Sequence, residues 1–243
     1  MSLRFDVLTI FPELLGSPLQ EGIIRRARQD GKIEVGITNI RDFATDKHAM
    51  TDDRPFGGGE GMVMKPEPLT AATNQVRGAG EGKVVLLSPQ GRRFDQQVAE
   101  EFAGLSHLIL VCGRYEGVDQ RYIDQQVDEE ISIGDFILTG GELAAMIIID
   151  AVTRLLPGVL GCAESVSADT FSRGSLKYPQ YTRPRSFAGQ EVPEVLLSGD
   201  HARIERWRWL QAVEMTKNKR PDLFRAMEFS AKELVLLRKH GIL

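Results

Sequence analysis

Five short apolar runs separated by amphipathic segments constrain this chain more than any other feature. The runs are Leu3–Ile10, Ile33–Ile40, Lys83–Ser88, Leu108–Gly113 and Val127–Ile133. Helical patterns lie between and after them, at Pro18–Gln29, Pro66–Gln75, Asp95–Ala103, Asp119–Gln125 and Glu142–Leu156. Apolar strands that alternate with helices predict an α/β fold, with a parallel sheet covered on both faces. In such sheets ligands sit beyond the carboxyl ends of the strands. Those ends carry Leu87-Ser88-Pro89-Gln90-Gly91, the stretch from Cys112 to Gly117, and the stretch from Glu130 to Leu143. Three loops are therefore expected to converge on one cleft.

The third loop is the most informative. It reads as a strand, a glycine-punctuated crossing and then a long apolar helix. Gly134, Gly140 and Gly141 place three glycines in eight residues, beside β-branched and aromatic neighbours. A simple turn needs one glycine, so this pattern predicts backbone brought close to a ligand between apolar walls. The phosphate-binding glycine motifs do not fit. A P-loop ending at Gly82-Lys83 would need glycine where Arg77 stands and a hydroxyl where Val84 stands; Gly57-x-Gly59 meets Met62, and Gly78-x-Gly80 meets Lys83. The expected ligand is held by backbone groups and apolar walls rather than by a phosphate cradle.

The 243 residues can hold one large domain or two modest ones. From Pro157 to about Gln190 regular patterning dissolves, and a loop of that length is uncommon unless functional or disordered. Helical signals then return. Asp200 can cap a helix to about Asn218, Pro221 can start another, and Ser230 with Glu233 forms a capping box. The expected organisation is an α/β domain at 1–160, a linker at 161–176 and a small all-helical domain at 177–243. Charge divides in the same way. Residues 1–175 hold 17 Lys and Arg against 26 Asp and Glu, whereas residues 176–243 hold 13 against 8. An acidic body with a basic C-terminal part suggests an anionic partner, although a solvated helical face reads the same way.

Other classes recede. Cys112 and Cys162 lack CxxC spacing, which argues against a disulfide scaffold and fits a reducing cytoplasm. His48, His107, His201 and His240 are scattered, so no structural metal site is expected. No apolar run approaches the roughly 20 residues of a membrane span, and the N-terminus enters a strand pattern without a signal-peptide layout.

Four segments carry chemistry-bearing residues. Glu164 to Phe171 places Asp169 amid small residues and one aromatic. Asp150 and Arg154 stand at i, i+4 on a largely apolar helix, as an ordinary surface pair or as a charge kept for use. Lys177 to Arg185 interleaves two tyrosines with three cations, a pattern for stacking bases and holding phosphates or for a proline-stiffened linker. Asp52 to Gly61 is a glycine-rich loop that can order over a substrate or simply connect two elements.

These segments resemble the TrmD family of bacterial tRNA (guanine-N1)-methyltransferases, of the knotted SPOUT class. The resemblance runs through Asp53 to Met64, Leu87 to Gly91, Cys112 to Arg121, Ile131 to Leu143, Leu156 to Gly161, Asp169 to Phe171 and Tyr178 to Pro184, in order and over nearly the whole chain. Small departures are Thr170 for serine, Ala144 for proline, and Phe136 and Phe56 for tyrosine. The resemblance implies a deep trefoil knot that holds S-adenosyl-L-methionine, and an obligate homodimer with active sites at the subunit interface. It implies cofactor contacts at Leu87, Ser88, Pro89, Gln90, Gly113, Tyr115, Glu116, Ile133, Gly134, Phe136, Leu138, Gly140 and Gly141. The reaction implied is methyl transfer to N1 of guanosine at tRNA position 37, supporting reading-frame maintenance. Asp169 would be the general base, and Arg154 would stabilise charge at O6. Contacts to the tRNA anticodon stem-loop are implied for Gly59, Ser165, Arg183, Arg185 and Arg203, with Arg206 and Arg208 beside them. A magnesium ion would assist from a position not assigned, Glu116 being one contributor. Two other readings stay open at this point: a non-catalytic RNA-binding protein of the same fold, and an enzyme that methylates a ribose hydroxyl of rRNA.

Overall fold

A computed structural model describes residues 2–80, 82–161, 170–171 and 174–243, which divide into two compact units, Met1–Gly161 and Cys162–Leu243. In chain order the first unit runs β1 (Leu3–Thr9), α1 (Gly22–Gln29), β2 (Ile33–Asn39), β3 (Asp52–Asp53), β4 (Val63–Met64), α2 (Pro66–Arg77), β5 (Lys83–Arg93), α3 (Gln96–Ala103), β6 (His107–Cys112), α4 (Gln120–Gln126), β7 (Glu129–Ser132) and α5 (Glu142–Thr153). Strands β2-β1-β6-β5-β7 form one sheet in that order, and every neighbouring pair is parallel. The apolar runs are continuous because both sheet faces are covered. Phe5, Val85, Leu87, Leu108 and Leu110 pack with α1, α3 and α5 on one side. Leu8, Val84, Leu86, Ile109 and Val111 pack with α2 and α4 on the other. Residues β3 and β4 form a small antiparallel ribbon outside the sheet.

Local chemistry sets the element ends. Asp95 and Asp119 cap α3 and α4, accepting from the backbone N–H of Val98 and Arg121. The first predicted helix, Pro18–Gln29, is shorter than its pattern. Glu21 is extended and Gly22 has φ +57°, so a 3-10 turn at Pro18–Gln20 precedes α1. Helix α5 stops at Thr153 rather than Leu156: Leu155 and Leu156 donate to Val152 and Thr153, three residues back, so the chain tightens into turns ahead of Pro157. Among the described residues no helix is long and apolar enough to cross a membrane.

The second unit contains β8 (Ser186–Phe187), β9 (Gln190–Glu191), α6 (His201–Lys219), α7 (Pro221–Ala226) and α8 (Ala231–Lys239). It is not all-helical: β8 and β9 pair as an antiparallel hairpin. Its two turn residues, Ala188 and Gly189, have φ +50° and +79°, the geometry of a tight hairpin turn. Alanine is an unusual choice there, which hid the turn from composition. Asp200 caps α6 through the N–H of Arg203, and Ser230 with Glu233 completes a capping box before α8. Leu210, Val213, Leu237 and Ile242 form a separate small core, with Trp209 edge-on to Phe229.

In the first unit Tyr122 is fully buried between α4 and α2. The Thr73 hydroxyl donates to the Leu69 carbonyl at 2.8 Å, which leaves its oxygen to accept from Tyr122 at 2.7 Å. Burial pushes the Tyr122 hydroxyl up to about 12. An unfolded tyrosine ionises near about 10. The stability this group contributes is therefore complete below about pH 10 and is lost as pH rises toward 12, because the unfolded chain releases its proton first. In urea unfolding, Tyr122→Phe should cost about 1 kcal/mol at neutral pH and decline less than wild type across that alkaline window.

Candidate active site

Strands β6, β5 and β7 are neighbours, so the loops at their carboxyl ends lie side by side. Strand β5 does not end at Ser88, where its sequence pattern stops. Leu87 pairs with Ile131, Ser88 to Gly91 leave the ladder, and Arg92 returns to pair with the same Ile131. The excursion forms one wall of a cleft of about 480 Å³, a volume suited to a cofactor-sized ligand. All thirteen residues from Leu87 to Gly141 that the resemblance implies as cofactor contacts line this cleft. Its walls are apolar at Leu87, Ile133, Phe136 and Leu138, and glycine backbone at 113, 134, 140 and 141 completes the lining.

The second and third loops meet first through main chain. The Gly141 N–H donates to the Gly113 carbonyl at 3.0 Å, and Arg114 pairs with Gly140. A side-chain carbon at Gly141 would lie 2.8 Å from the Cys112 Cα, inside contact distance with backbone that has little room to move. Glycine is thus required where these segments cross. Burial pushes the Cys112 thiol well above its usual range, which removes it as a nucleophile.

A buried charge pair locks the crossing. Arg114 donates to both oxygens of Glu142, Nε at 3.3 Å and Nη2 at 2.9 Å, while the Thr9 hydroxyl donates to Oε1 at 2.7 Å. Glu142 is only 2% exposed and begins α5, where the helix dipole favours an anion. The Arg114 guanidinium also lies 4.2 Å from the centre of the Phe11 ring. The sequence reading missed this network. Its one signal was a glutamate opening an otherwise apolar helix.

Tyr115, on the cleft lip, has φ +59°, a left-handed backbone uncommon for a bulky side chain and frequent at functional sites. Its hydroxyl is raised above the ordinary tyrosine value by burial first, then by the Asp52 carboxylate beside it. The same lip holds the β3–β4 ribbon. The Met62 carbonyl accepts from Glu116 at 3.0 Å, and Met64 donates to Gly117 at 2.9 Å. Gly59 lies in the exposed loop between β3 and β4, outside the cleft lining.

Arg154 is not brought to the cleft by its own chain. It caps the far end of α5, ten residues beyond the cleft-lining Ala144, about 15 Å along the helix axis. Asp169 and Ser165 lie outside the described residues. In the second unit Arg183 and Arg185 occupy an exposed stretch, with Arg185 3.8 Å from Glu191, and Arg203 lies exposed in the first turn of α6. Arg208 stacks 5.1 Å from the Tyr178 ring centre and pairs with Glu205, and Tyr181 packs against Trp207. Among the described residues no three His, Cys, Asp or Glu side chains gather as a metal cage.

Comparison with known proteins adds to this geometry. A family model described as tRNA (Guanine-1)-methyltransferase TrmD matches residues 3–226. A tRNA (guanine-N(1)-)-methyltransferase of Geobacter sulfurreducens is 53% identical over 243 residues, covering 98% of this chain and 99% of that protein. Its counterpart from Moorella thermoacetica is 57% identical over 234 residues, covering 95% and 94%. One from Dictyoglomus turgidum is 50% identical over 237 residues, covering 98% and 96%.

Breaking one side of the buried pair should be severe. Arg114→Met strands the Glu142 carboxylate and is expected to cost about 3–5 kcal/mol in urea unfolding. Adding Glu142→Gln should recover part of that loss, since the uncompensated charge is gone while Thr9 keeps its acceptor.

Proposed function

The chain belongs to the tRNA (guanine-1)-methyltransferase TrmD family, and on that premise we propose that it methylates N1 of the guanosine at tRNA position 37, 3′ of the anticodon, with S-adenosylmethionine as methyl donor. The observation that carries this reading is the cleft at the ends of β5, β6 and β7, lined by all thirteen residues of the family's cofactor pattern. Its volume and apolar walls fit an adenosyl group held without a phosphate cradle. The trefoil knot expected of the family would account for the close crossing in which Gly141 admits no side chain.

The donor supplies a methyl group on a positively charged sulfur that leaves readily with the bonding electron pair. The protein's task is to make N1 a nucleophile and to align it. Neutral guanine N1 carries a proton, and we assign its removal to Asp169 as general base. A free aspartate has a pKa near about 3.9 and is a weak base for this step. Arg154 at O6 stabilises the negative charge left on the ring, a contact of the type worth roughly 2.7–4 kcal/mol.

Because Arg154 sits at the far end of α5 from its own cleft, we assign it to the cleft of a second copy. Leu143 and Ile147 are exposed on α5, and helical spacing puts Asp150 and Arg154 on the same stripe. Ile137, on the loop before α5, is exposed as well. A copy that covers this apolar stripe would meet Arg154 at its end, which is the homodimer expected of the family. In the basic second unit Arg183, Arg185, Arg203, Arg206 and Arg208 would hold the anticodon stem-loop, with Gly59 and Ser165 as further tRNA contacts, so affinity falls with salt. A magnesium ion needs few protein carboxylates, its position is not assigned, and Glu116 at the cleft lip would be one contributor. The reading places the enzyme in the cytoplasm and its product in reading-frame maintenance.

Nucleoside mass spectrometry after incubation with S-adenosylmethionine and a tRNA transcript should find 1-methylguanosine 3′ of the anticodon; a methyl group only on ribose, or none, refutes the reading. Asp169→Asn should lower turnover by about 10²–10⁴-fold with donor affinity, read by calorimetry, unchanged. Mixing Arg154→Ala subunits with Leu138→Trp subunits, whose cleft wall carries a bulky ring, should recover activity that neither parent shows. Failure to recover would return Arg154 to its own cleft.

A further inference from the structure

At 98%, Phe56 is the most exposed large apolar side chain among the described residues. A lone exposed aromatic means little by itself, but three features of its surroundings give it meaning. First, the glycines that follow it hold the loop in a shape other residues resist: Gly57, Gly58, Gly59 and Gly61 have φ +87°, +78°, +126° and +77°. A side-chain carbon at Gly57 or Gly58 would meet nothing within 4 Å. Internal packing therefore does not demand glycine at those two positions, and the space beside the ring is left clear. Second, both stems of the loop are tied to the cleft lip. Asp52 stands beside the Tyr115 hydroxyl, and Met62 and Met64 hydrogen-bond to Glu116 and Gly117. Phe56 is three residues from Asp53, so it projects no more than about 10 Å from that stem. Third, the ring has no apolar patch around it: Arg54 and Glu60 are exposed with it, and glycine fills most of the rest of the loop.

We propose that Phe56 is a stacking platform for an unpaired RNA base, the neighbour in the anticodon loop of the guanosine that enters the cleft. This rests on the reading of the cleft given above. When a purine leaves its stack, the adjoining base exposes one face to water; a bare aromatic ring held beside the cleft covers that face whatever the base is. The flanking Arg54 suits the adjoining phosphate. A protein partner would need a contiguous apolar patch, which this loop lacks and the α5 stripe has.

The test is binding of an unmodified tRNA transcript, measured by filter retention without turnover. Phe56→Ala should weaken it about tenfold, whereas Phe56→Tyr and Phe56→Trp stay within about twofold and Phe56→Leu behaves like alanine. Donor affinity by calorimetry and oligomeric state by light scattering should not change. An abasic nucleotide placed on one side of the target guanosine should abolish the difference between wild type and Phe56→Ala. The proposal is overturned if Phe56→Ala binds tRNA like wild type, if leucine substitutes fully for the ring, if neither abasic position removes the effect, or if the variant loses donor binding or changes oligomeric state. A wild type that binds tRNA yet leaves guanine N1 unmodified would sink the reading of the cleft, a different result from any of these.

Discussion

The main chain after β6 runs against the main chain that enters α5, with only glycine between them. That contact joins two of the three strand-end loops. It fixes Gly113 to Gly141, sets Arg114 against Gly140, and delivers Glu142 into a buried pocket where Arg114 and Thr9 satisfy it. Two charges taken out of water are costly, and their pairing is retained only with good geometry and further hydrogen bonds. Here both conditions hold. The benefit is specificity of arrangement: a carboxylate from one loop, a guanidinium from another and a hydroxyl from the first strand agree on one geometry for the cleft.

Much of this was legible from residues alone, for physical reasons that also mark where legibility ends. Continuous apolar runs report a sheet covered on both faces, and helix caps at Asp95, Asp119, Asp200 and Ser230 report where helices begin, because both are local effects. The end of α5 was misjudged by weighing apolar periodicity above the proline at 157. The β8–β9 hairpin escaped because alanine occupies a turn position that asparagine or glycine usually marks. The Glu142 network joins residues 28 and 133 positions apart. No local pattern encodes such a pairing; only the sheet order brings Thr9, Arg114 and Glu142 together.

Helix α5 has different tasks at its two ends. Its first turn is fastened into the cleft by Glu142, and its last turn carries Arg154. Between them one side is packed into the core through Ala145, Ile148, Ile149 and Val152, while Leu143 and Ile147 remain uncovered. A helix anchored in this way holds its two ends at a set separation, about 15 Å from Ala144 to Arg154. The two ends are better understood as one mechanical part than as two sites.

The order β2-β1-β6-β5-β7 also bears on how the chain is made. Strand β1 sits between β2 and β6, and its pairing with β6 starts at Arg4 and His107, a hundred positions apart. Ribosomes add roughly 5 to 20 residues per second. For several seconds the nascent β1–β2 pair therefore has one edge of unpaired N–H and C=O groups without its permanent neighbour. Shielding of that edge during translation, by the ribosome surface or by chaperones, is a demand built into the strand order of this sheet.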